Sequence, residues 1–416
     1  MYSTNVAGCS KNDCRMVSSS HCTETYGGFF LIGCNGRLPA GDKGRKCSKF
    51  ILVRRDVPNG LRQASAHRIS SPKSSEPTKA TEKFIIRYIF SNEESVLVDY
   101  ASDKETDMFQ IGRSDENDFP VLGKIAEGKG KARGSTVAKY SCRVLANRAN
   151  KSEVRIYAAG FDSNKEIVLE EKKAVKWKKG SDTNVDALTF NGILLNNPEG
   201  SFCGGELEAG VWREVSVCGN ILSLRGVRSS HEKGREINTS TNLLRDGSLV
   251  DLCGATLLWR SAEGLQKCIN ENYIKNIFNK LSESINDVFI IPRKYVREEL
   301  EDKKQYPHVY VNCGHVHKGR LLPEDCPSCQ VTGPHQNLCM GMEFAFYVDD
   351  VNDSFTPELY AFIPCGHIAT EKTVKFWART PLPHGKSGYQ SICPFCGTAL
   401  QGYPGYIHLK FCGGST

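Results

Sequence analysis

The chain has 416 residues, of which 39% are hydrophobic, and its 54 basic and 47 acidic residues give a formal net charge of +7. This length and composition are typical of a globular protein with two or three domains. No run approaches the roughly 20 apolar residues of a membrane span, and the basic residues are spread along the chain, so we expect neither a membrane span nor nucleic-acid binding. The N-terminus also lacks the apolar stretch of a signal peptide, and we therefore expect a cytoplasmic protein.

The 18 cysteines of the chain indicate metal binding. Disulfide frameworks are rare in the reducing cytoplasm. Closely spaced cysteines in such a protein therefore predict metal ligands.

The first two thirds of the chain predict a β-structure. Residues 1–26 are polar and lack periodicity, and we expect a disordered tail there. From 27 to 262, short apolar or β-branched runs alternate with turn residues, as in "KFIIRYIF", "SVLVDY" and "VRIYAAGF". This spacing predicts the strands of an antiparallel β-sandwich. Two long polar segments inside it, 57–83 and 123–139, are expected to be loops.

A helical pattern follows the predicted sandwich. The segment "LQKCINENYIKNIFNKLSESI" (265–285) places apolar residues at three- and four-residue spacings. This pattern predicts one amphipathic helix whose apolar stripe packs on a flanking domain. We interpret 263–300 as a connector helix with its linker, and 301–416 as a separate cysteine-rich domain.

The last domain contains two similar sets of potential metal ligands. Each set is a Cys-x-His pair followed by a Cys-Pro-x-Cys pair, and the residues are Cys313, His315, Cys326, Cys329, Cys365, His367, Cys393 and Cys396. A Cys-x-x-Cys turn lets two thiolates reach one ion, and four such ligands close a tetrahedral site with no position for water or substrate. Two structural zinc ions are therefore predicted. The sequence leaves open whether the two sets interleave or each set holds its own ion.

Other cysteine-based functions do not fit these spacings. A zinc deaminase needs His-x-Glu, and no histidine of this chain has Glu two residues later. A DNA-reading zinc finger places its cysteine pair before its histidine pair, which is not the order found here. A redox-active Cys-x-x-Cys of the thioredoxin type needs a βαβ context, which this segment lacks.

Several blocks of the sequence resemble the Pellino family. In the last domain they are "VYVNCGHVH", "CPSC", "PCGHIATEKT", "PLPHG", "CPFC" and "GYIHL", and upstream they include "TDMFQIGRS", "WREVSVCGN" and "DGSLVDLCGATLLWRSAEGL". The resemblance implies a mainly β fold: an FHA-type antiparallel β-sandwich with an appendage at 27–262, the connector helix, and a small two-zinc RING-like α+β domain.

The same resemblance implies an E3 ubiquitin ligase of Toll and interleukin receptor signalling. Its expected partners are a ubiquitin-conjugating enzyme, ubiquitin and phosphorylated receptor-associated kinases. Ligases of this type have no nucleophile of their own and act by positioning the charged conjugating enzyme. The alternative is a non-catalytic zinc-containing scaffold for signalling kinases.

Exposed apolar residues beside the metal ligands are the expected contacts of the conjugating enzyme. Val316 and Pro394 are the first candidates. Trp377 is a further candidate, although a tryptophan at this place also suits a core.

The resemblance also implies a phosphothreonine site. FHA sites combine an Arg after Gly in one loop, a Ser-Arg pair in a second loop and an Asn in a third. These map onto Arg113 with Ser114, onto Lys139, and onto Asn191.

This chain differs from that pattern at two places. The middle pair is Ala138-Lys139, and Phe190 stands where a Thr is expected. Lysine replaces a bidentate guanidinium by a point charge. We therefore expect weaker phosphothreonine binding than in relatives, and the sequence leaves open whether binding survives.

Overall fold

The computed structural model describes residues 25–34, 49–70, 83–121, 136–204, 206–285, 307–319, 322–352, 358–384 and 388–411. The expected tail at 1–26 lies almost entirely outside the described residues. Within these ranges, no helix is both long and apolar enough to cross a lipid bilayer.

The described part of the chain up to residue 261 forms nineteen strands, which confirms the mainly β fold. Their bounds are β1 (Thr25–Cys34), β2 (Lys49–Val53), β3 (Gly60–Ile69), β4 (Phe84–Ile89), β5 (Ser95–Asp103), β6 (Thr106–Gly112), β7 (Phe119–Pro120), β8 (Cys142–Asn147), β9 (Val154–Ala158), β10 (Glu166–Leu169), β11 (Ala174–Lys179), β12 (Ser181–Thr189), β13 (Ile193–Asn196), β14 (Glu199–Gly200), β15 (Leu207–Glu208), β16 (Arg213–Val215), β17 (Ile221–Leu222), β18 (Leu249–Asp251) and β19 (Ala255–Ser261).

These strands form a sandwich of several sheets. The largest sheet has the order β17-β16-β13-β18-β19-β1-β2, and all of its paired strands are antiparallel. Two four-stranded sheets have the orders β10-β4-β5-β3 and β7-β6-β8-β9, and β11-β12 and β14-β15 form two-stranded sheets. The large sheet and both four-stranded sheets contribute side chains to one core, called here the sandwich core.

The seven-stranded sheet is buried on both faces. Successive side chains of a strand point to opposite faces of its sheet. In β1, Phe29 lies in the sandwich core and Phe30 lies in a second core on the other face. In β19, Leu257 and Leu258 divide in the same way. The second core also contains the C-terminal domain, so it is called here the junction core.

One predicted loop is partly a strand. The segment 57–83 was expected to be a polar loop, but β3 occupies Gly60–Ile69 and pairs along its length with β5. Because β3 is an edge strand with most of its side chains exposed, it needs few apolar residues. The prediction of a loop there was therefore wrong, since it relied on apolar content. Residues 71–82 and 122–135 lie outside the described part.

Two helices replace the single predicted connector helix. Helix α1 spans Ala262–Lys267 and α2 spans Glu271–Ile285. Cys268 has an extended backbone that ends α1, and the Asn270 side chain accepts a hydrogen bond from the Tyr273 amide at the start of α2 (3.1 Å). The apolar stripe packs in the junction core, as predicted, through Ile269, Ile274, Ile277 and Leu281.

The C-terminal domain is small and contains strands and one longer helix. Its elements are β20 (Pro307–Tyr310), β21 (His315–Lys318), β22 (His335–Asn337), β23 (Cys339–Met340), a 3-10 turn (Phe344–Phe346), β24 (Leu359–Phe362), β25 (His367–Thr370), α3 (Glu371–Arg379), β26 (Leu382–His384), β27 (Gly388–Gln390), β28 (Tyr406–His408) and β29 (Lys410–Phe411). Its sheets have the orders β22-β20-β21-β29, β23-β25-β24-β28 and β26-β27.

A buried arginine joins the two domains. The Arg260 guanidinium, in β19, forms an ion pair with Asp246 (3.0 Å) and donates to the Ala345 carbonyl of the C-terminal domain (2.5 Å). The Trp212 indole nitrogen donates across the same boundary to the Pro381 carbonyl (3.0 Å). These polar bonds lie among the apolar contacts of the junction core and fix how the domains meet.

Replacing this arginine should destabilise the protein. In Arg260→Met, the partly buried Asp246 carboxylate loses its cation, and breaking a buried pair costs about 3–5 kcal/mol. We expect a lower denaturant midpoint, measured by fluorescence of the whole chain. Lys267→Met is the control, because Lys267 pairs with Glu263 at the surface and its loss should leave the midpoint unchanged. Equal midpoints for Arg260→Met and the parent would contradict the assignment of Arg260 as the joining residue.

Candidate metal centres and phosphate-binding loops

The two Cys-Gly-His motifs form the same turn. Each turn ends a β-strand and begins the next, between β20 and β21 and between β24 and β25. Gly314 has φ +82° and Gly366 has φ +68°, a left-handed backbone that favours glycine. Each glycine amide donates 2.8 Å to the carbonyl of the residue four positions earlier. The sequence repeat is therefore a structural repeat.

The two Cys-Pro-x-Cys motifs also share one geometry. The Gln330 amide donates to the Cys326 carbonyl and the Gly397 amide donates to the Cys393 carbonyl, both at 2.8 Å. Gln330 and Gly397, directly after the second cysteine of each motif, have a left-handed backbone. Each tight turn thus presents two thiols to the same side.

Each set of four predicted ligands comes together within its own repeat. One cluster contains Cys313, His315, Cys326 and Cys329, and the other contains Cys365, His367, Cys393 and Cys396. In each cluster the candidate ligand atoms all lie within 4.8 Å of one another. In the structure the two sets therefore lie in series and do not interleave. Three sulfurs and one imidazole nitrogen at this spacing fit a tetrahedral metal ion.

Each cluster has one thiol with a lowered pKa. A backbone hydrogen bond from Val331 lowers the pKa of Cys329. Hydrogen bonds with the thiols of Cys365 and Cys393 lower the pKa of Cys396. Cys329 and Cys396 are both the last cysteine of their turn. A lowered pKa favours the thiolate, and the thiolate is the form that binds a metal ion. Each cluster therefore favours the metal-binding form of one of its ligands.

A further histidine lies beside the first cluster. Nε2 of His317 is 3.6 Å from Sγ of Cys326 and 3.3 Å from Oγ of Ser328. Burial lowers the pKa of His317, which favours its neutral form. His317 does not belong to the group of four candidate ligands. Because it lies only two residues after His315, the sequence alone does not show which of the two histidines joins the cluster.

The structure contradicts the exposure assumed for the conjugating-enzyme contacts. Val316 is 1% exposed, Trp377 is 0% exposed, and Pro394 is buried. The Trp377 indole donates to the Phe346 carbonyl (2.8 Å), which places it in the core of the domain. These three side chains support the domain from inside. Val331, directly beside the first cluster, is 41% exposed.

The three loops predicted to bind phosphothreonine lie next to one another. The Arg113 amide donates to the Ala138 carbonyl (3.0 Å), and the Ser114 amide donates to the Lys139 carbonyl (3.1 Å). The Asn191 side chain donates to the Thr136 carbonyl (2.7 Å). The side chains of Arg113 and Lys139 are exposed. The structure thus brings together all four predicted residues.

An arginine distant in sequence supports the third loop. Arg228 donates to the carbonyls of Asn191 (3.2 Å) and Gly192 (3.3 Å), and it forms an ion pair with Asp251. No pattern near Asn191 indicates this contact, because Arg228 reaches the loop only in the folded chain.

The hydroxyl groups near the middle loop have other partners. The Ser141 hydroxyl donates to the Ala138 carbonyl (3.1 Å), and the Thr136 hydroxyl donates to the Cys253 carbonyl. Ser135 lies outside the described residues. The described hydroxyls are therefore not placed to replace the hydroxyl that Ala138 lacks.

An open groove continues from these loops. Its volume is about 590 Å³, and its lining includes Lys139, Phe190 and Asn191. Buried Ile167 and Leu169 contribute an apolar wall. Phe190 is 43% exposed at its edge. The groove thus combines an apolar wall with the exposed cation of Lys139.

Fold and site together define a class of protein in which an FHA-type sandwich precedes a RING-type metal-binding domain. A model of the Pellino FHA domain matches residues 17–277, and a model of the Pellino RING domain matches residues 284–414. The chain belongs to the Pellino family.

Relatives match this chain over most of its length. Protein pellino of Drosophila melanogaster is 44% identical over 407 residues, which cover 93% of this chain and 92% of the relative. E3 ubiquitin-protein ligase pellino homolog 2 of Homo sapiens is 39% identical over 409 residues, covering 93% and 95%. E3 ubiquitin-protein ligase pellino homolog 3 of Mus musculus is 40% identical over 408 residues, covering 93% and 90%.

Independent clusters should lose metal independently. We expect Cys313→Ala to bind one metal ion fewer than the parent while the second cluster keeps its ion, and Cys393→Ala to show the reverse. Native mass spectrometry counts the ions, and Cys218→Ala, in the sandwich, is the control that should keep both. Loss of both ions from Cys313→Ala would contradict the arrangement in series.

Proposed function

We propose that this protein is a RING-type E3 ubiquitin ligase that binds phosphothreonine-bearing partners through its FHA-type sandwich. The observation that carries the proposal is the presence of both sites in one Pellino-family chain: two Cys/His clusters in the C-terminal domain and three adjacent loops with exposed cations in the sandwich. Family membership further supports a role in Toll and interleukin receptor signalling, with phosphorylated receptor-associated kinases as partners.

Zinc is the metal proposed for both clusters. Three thiolates and one imidazole are ligands that structural zinc prefers, and four of them leave no position for water. The ion would hold a Cys-Gly-His turn and a Cys-Pro-x-Cys turn together. Holding these turns together would give the domain a fixed surface. A closed site of this kind would supply neither a Lewis acid nor a metal-bound nucleophile.

Ubiquitin transfer is proposed to proceed by positioning. The C-terminal domain would hold a conjugating enzyme charged with ubiquitin, so that a lysine of the partner attacks the thioester. The junction core connects this domain to the sandwich through apolar contacts and through Arg260. A phosphorylated partner on the sandwich and a conjugating enzyme on the metal domain would then have a limited range of relative positions, which favours some partner lysines over others.

The conjugating enzyme needs an exposed surface other than Val316, Pro394 and Trp377, which are buried. We propose the turn around Pro327 and Val331, beside the first cluster, because both residues are exposed and apolar. The burial of the three earlier candidates is also what the scaffold alternative expects. A cytoplasmic location is proposed with either function, because a reducing compartment keeps the thiols of the two cysteine-based clusters available as metal ligands.

Removing ligands of the second cluster should abolish ubiquitin transfer. In Cys393→Ala/Cys396→Ala, the turn loses two of its four ligands, and structural zinc contributes on the order of 10 kcal/mol to folding of such a site. We expect no ubiquitin chains with purified activating and conjugating enzymes, measured by gel, and normal phosphopeptide binding, since those loops pack on the sandwich core. Cys218→Ala should remain active. Chain formation by the double variant would exclude the metal domain as the transfer module, and inactivity of the parent with a broad set of conjugating enzymes would favour the scaffold.

Phosphothreonine binding should depend on Arg113 and improve when the middle pair is restored. Ala138→Ser/Lys139→Arg adds a hydroxyl donor and a bidentate fork, and one charge-assisted hydrogen bond is worth about 1.5–3 kcal/mol, so we expect roughly tenfold tighter binding. Arg113→Ala should abolish it. Calorimetry with a phosphothreonine peptide and its unphosphorylated form measures both. Absence of phosphate-dependent binding in the parent and in the restored variant would mean that the sandwich has no phosphopeptide site.

A further inference from the structure

Asn117 lies between two of the loops that carry the proposed phosphate ligands. Its side-chain amide donates to the Ser114 carbonyl (2.8 Å) and to the Lys139 carbonyl (2.7 Å). Ser114 belongs to the first loop and Lys139 to the second. One buried side chain, 5% exposed, thus uses both of its N–H donors to join the two loops.

These contacts complete the bonding of the middle loop. The Ala138 carbonyl accepts from the Arg113 amide and from the Ser141 hydroxyl. The Lys139 carbonyl accepts from the Ser114 amide and from Asn117. Both carbonyls of the pair therefore have two donors each, and no side chain of the pair itself is needed for this geometry. The loop conformation is determined separately from the residues at the ligand positions.

The loops approach each other closely at this point. A Cβ added to Gly112 would lie 2.2 Å from the Lys139 carbonyl oxygen, so only glycine fits before Arg113. The Asn117 side chain donates to this same carbonyl oxygen of Lys139. Small displacements here would move the Arg113 and Lys139 side chains relative to each other.

The orientation of the Asn117 side-chain amide is unfavourable for its oxygen atom. Among the described residues, no donor lies within hydrogen-bonding distance of its buried Oδ1. A buried polar atom without a partner is unfavourable. The reverse orientation would place Oδ1 against two carbonyl oxygens, which is worse. The fold therefore tolerates an unsatisfied oxygen in order to keep both donors on the loop carbonyls.

We propose that Asn117 is a positioning residue for phosphothreonine recognition. It holds the loop of Arg113 and Ser114 at a fixed distance from the loop of Lys139, so that their cations converge on one phosphate before the ligand binds. Preorganisation of this kind lowers the entropy lost on binding. The inference rests on the proposed phosphopeptide binding and names a residue that does not itself touch the ligand.

The test compares Asn117→Ala with Ser141→Ala in the full chain. Both variants remove one side-chain donor from a carbonyl of the middle pair, but only Asn117 joins two loops. We expect Asn117→Ala to bind a phosphothreonine peptide about tenfold more weakly, or worse. Ser141→Ala should stay within about threefold of the parent, since its loops remain joined. Both variants lose buried hydrogen bonds, so both melting temperatures should fall slightly and to a similar extent.

A pH series separates positioning from general stability. The second pKa of phosphothreonine is about 6, so the dianion predominates above that pH. Parent affinity should rise between pH 5 and 7, because converging cations favour the dianion, and the rise should be smaller in Asn117→Ala. Asn117→Asp, which keeps the shape but replaces the donors with an acceptor, should behave at least as poorly as Asn117→Ala.

The outcomes are distinct. If the parent binds the peptide and Asn117→Ala binds within threefold of it, the positioning role is wrong. If Asn117→Ala and Ser141→Ala lose affinity to the same extent, or the pH dependence of Asn117→Ala equals that of the parent, Asn117 is only structural and the inference is overturned. If the parent shows no phosphate-dependent binding, the proposed function itself fails.

Discussion

The architecture depends on burial of one β-sheet on both of its faces. Neighbouring residues of β1 and β19 supply large apolar side chains to two different cores, and burying such a side chain contributes about 1.5–3 kcal/mol. One face closes the sandwich, and the other receives α2 and the metal-binding domain. The domain that carries the metal clusters therefore rests on the strands that also organise the sandwich, and Arg260 adds a polar bond within this contact.

The metal-binding domain uses the same two turns in each of its repeats. A left-handed glycine closes each Cys-Gly-His turn, and a left-handed residue ends each Cys-Pro-x-Cys turn. Each pair of turns meets within its own repeat, so each cluster is complete without the other. The repeats are nevertheless interwoven at the level of strands. The C-terminal strands β28 and β29 join the sheets of the second and the first repeat, respectively.

In the loops of the sandwich, different groups determine the backbone shape and the chemistry offered to a ligand. Backbone amides and buried side chains determine how the loops approach each other, whereas exposed side chains determine what they can bind. Replacement of the expected Ser-Arg pair by Ala138-Lys139 changes donors and charge geometry, while the backbone hydrogen bonds between the loops remain in place. Phe190 likewise adds an exposed aromatic edge to the adjoining groove without disturbing Asn191. The residues at the proposed ligand positions can therefore change while the backbone hydrogen bonds between the loops stay in place.

The sequence by itself determined the features that depend on local chemistry. Ligand spacing predicted the eight residues that the structure brings into two clusters, and apolar runs predicted most strands, because turns and strands follow from neighbouring residues. Only the tertiary structure decided the pairing of the clusters in series, the burial of Val316, Pro394 and Trp377, and the exposed edge strand β3. Each of these outcomes depends on which segments, distant in the sequence, pack together. Residues close along the chain do not determine that packing.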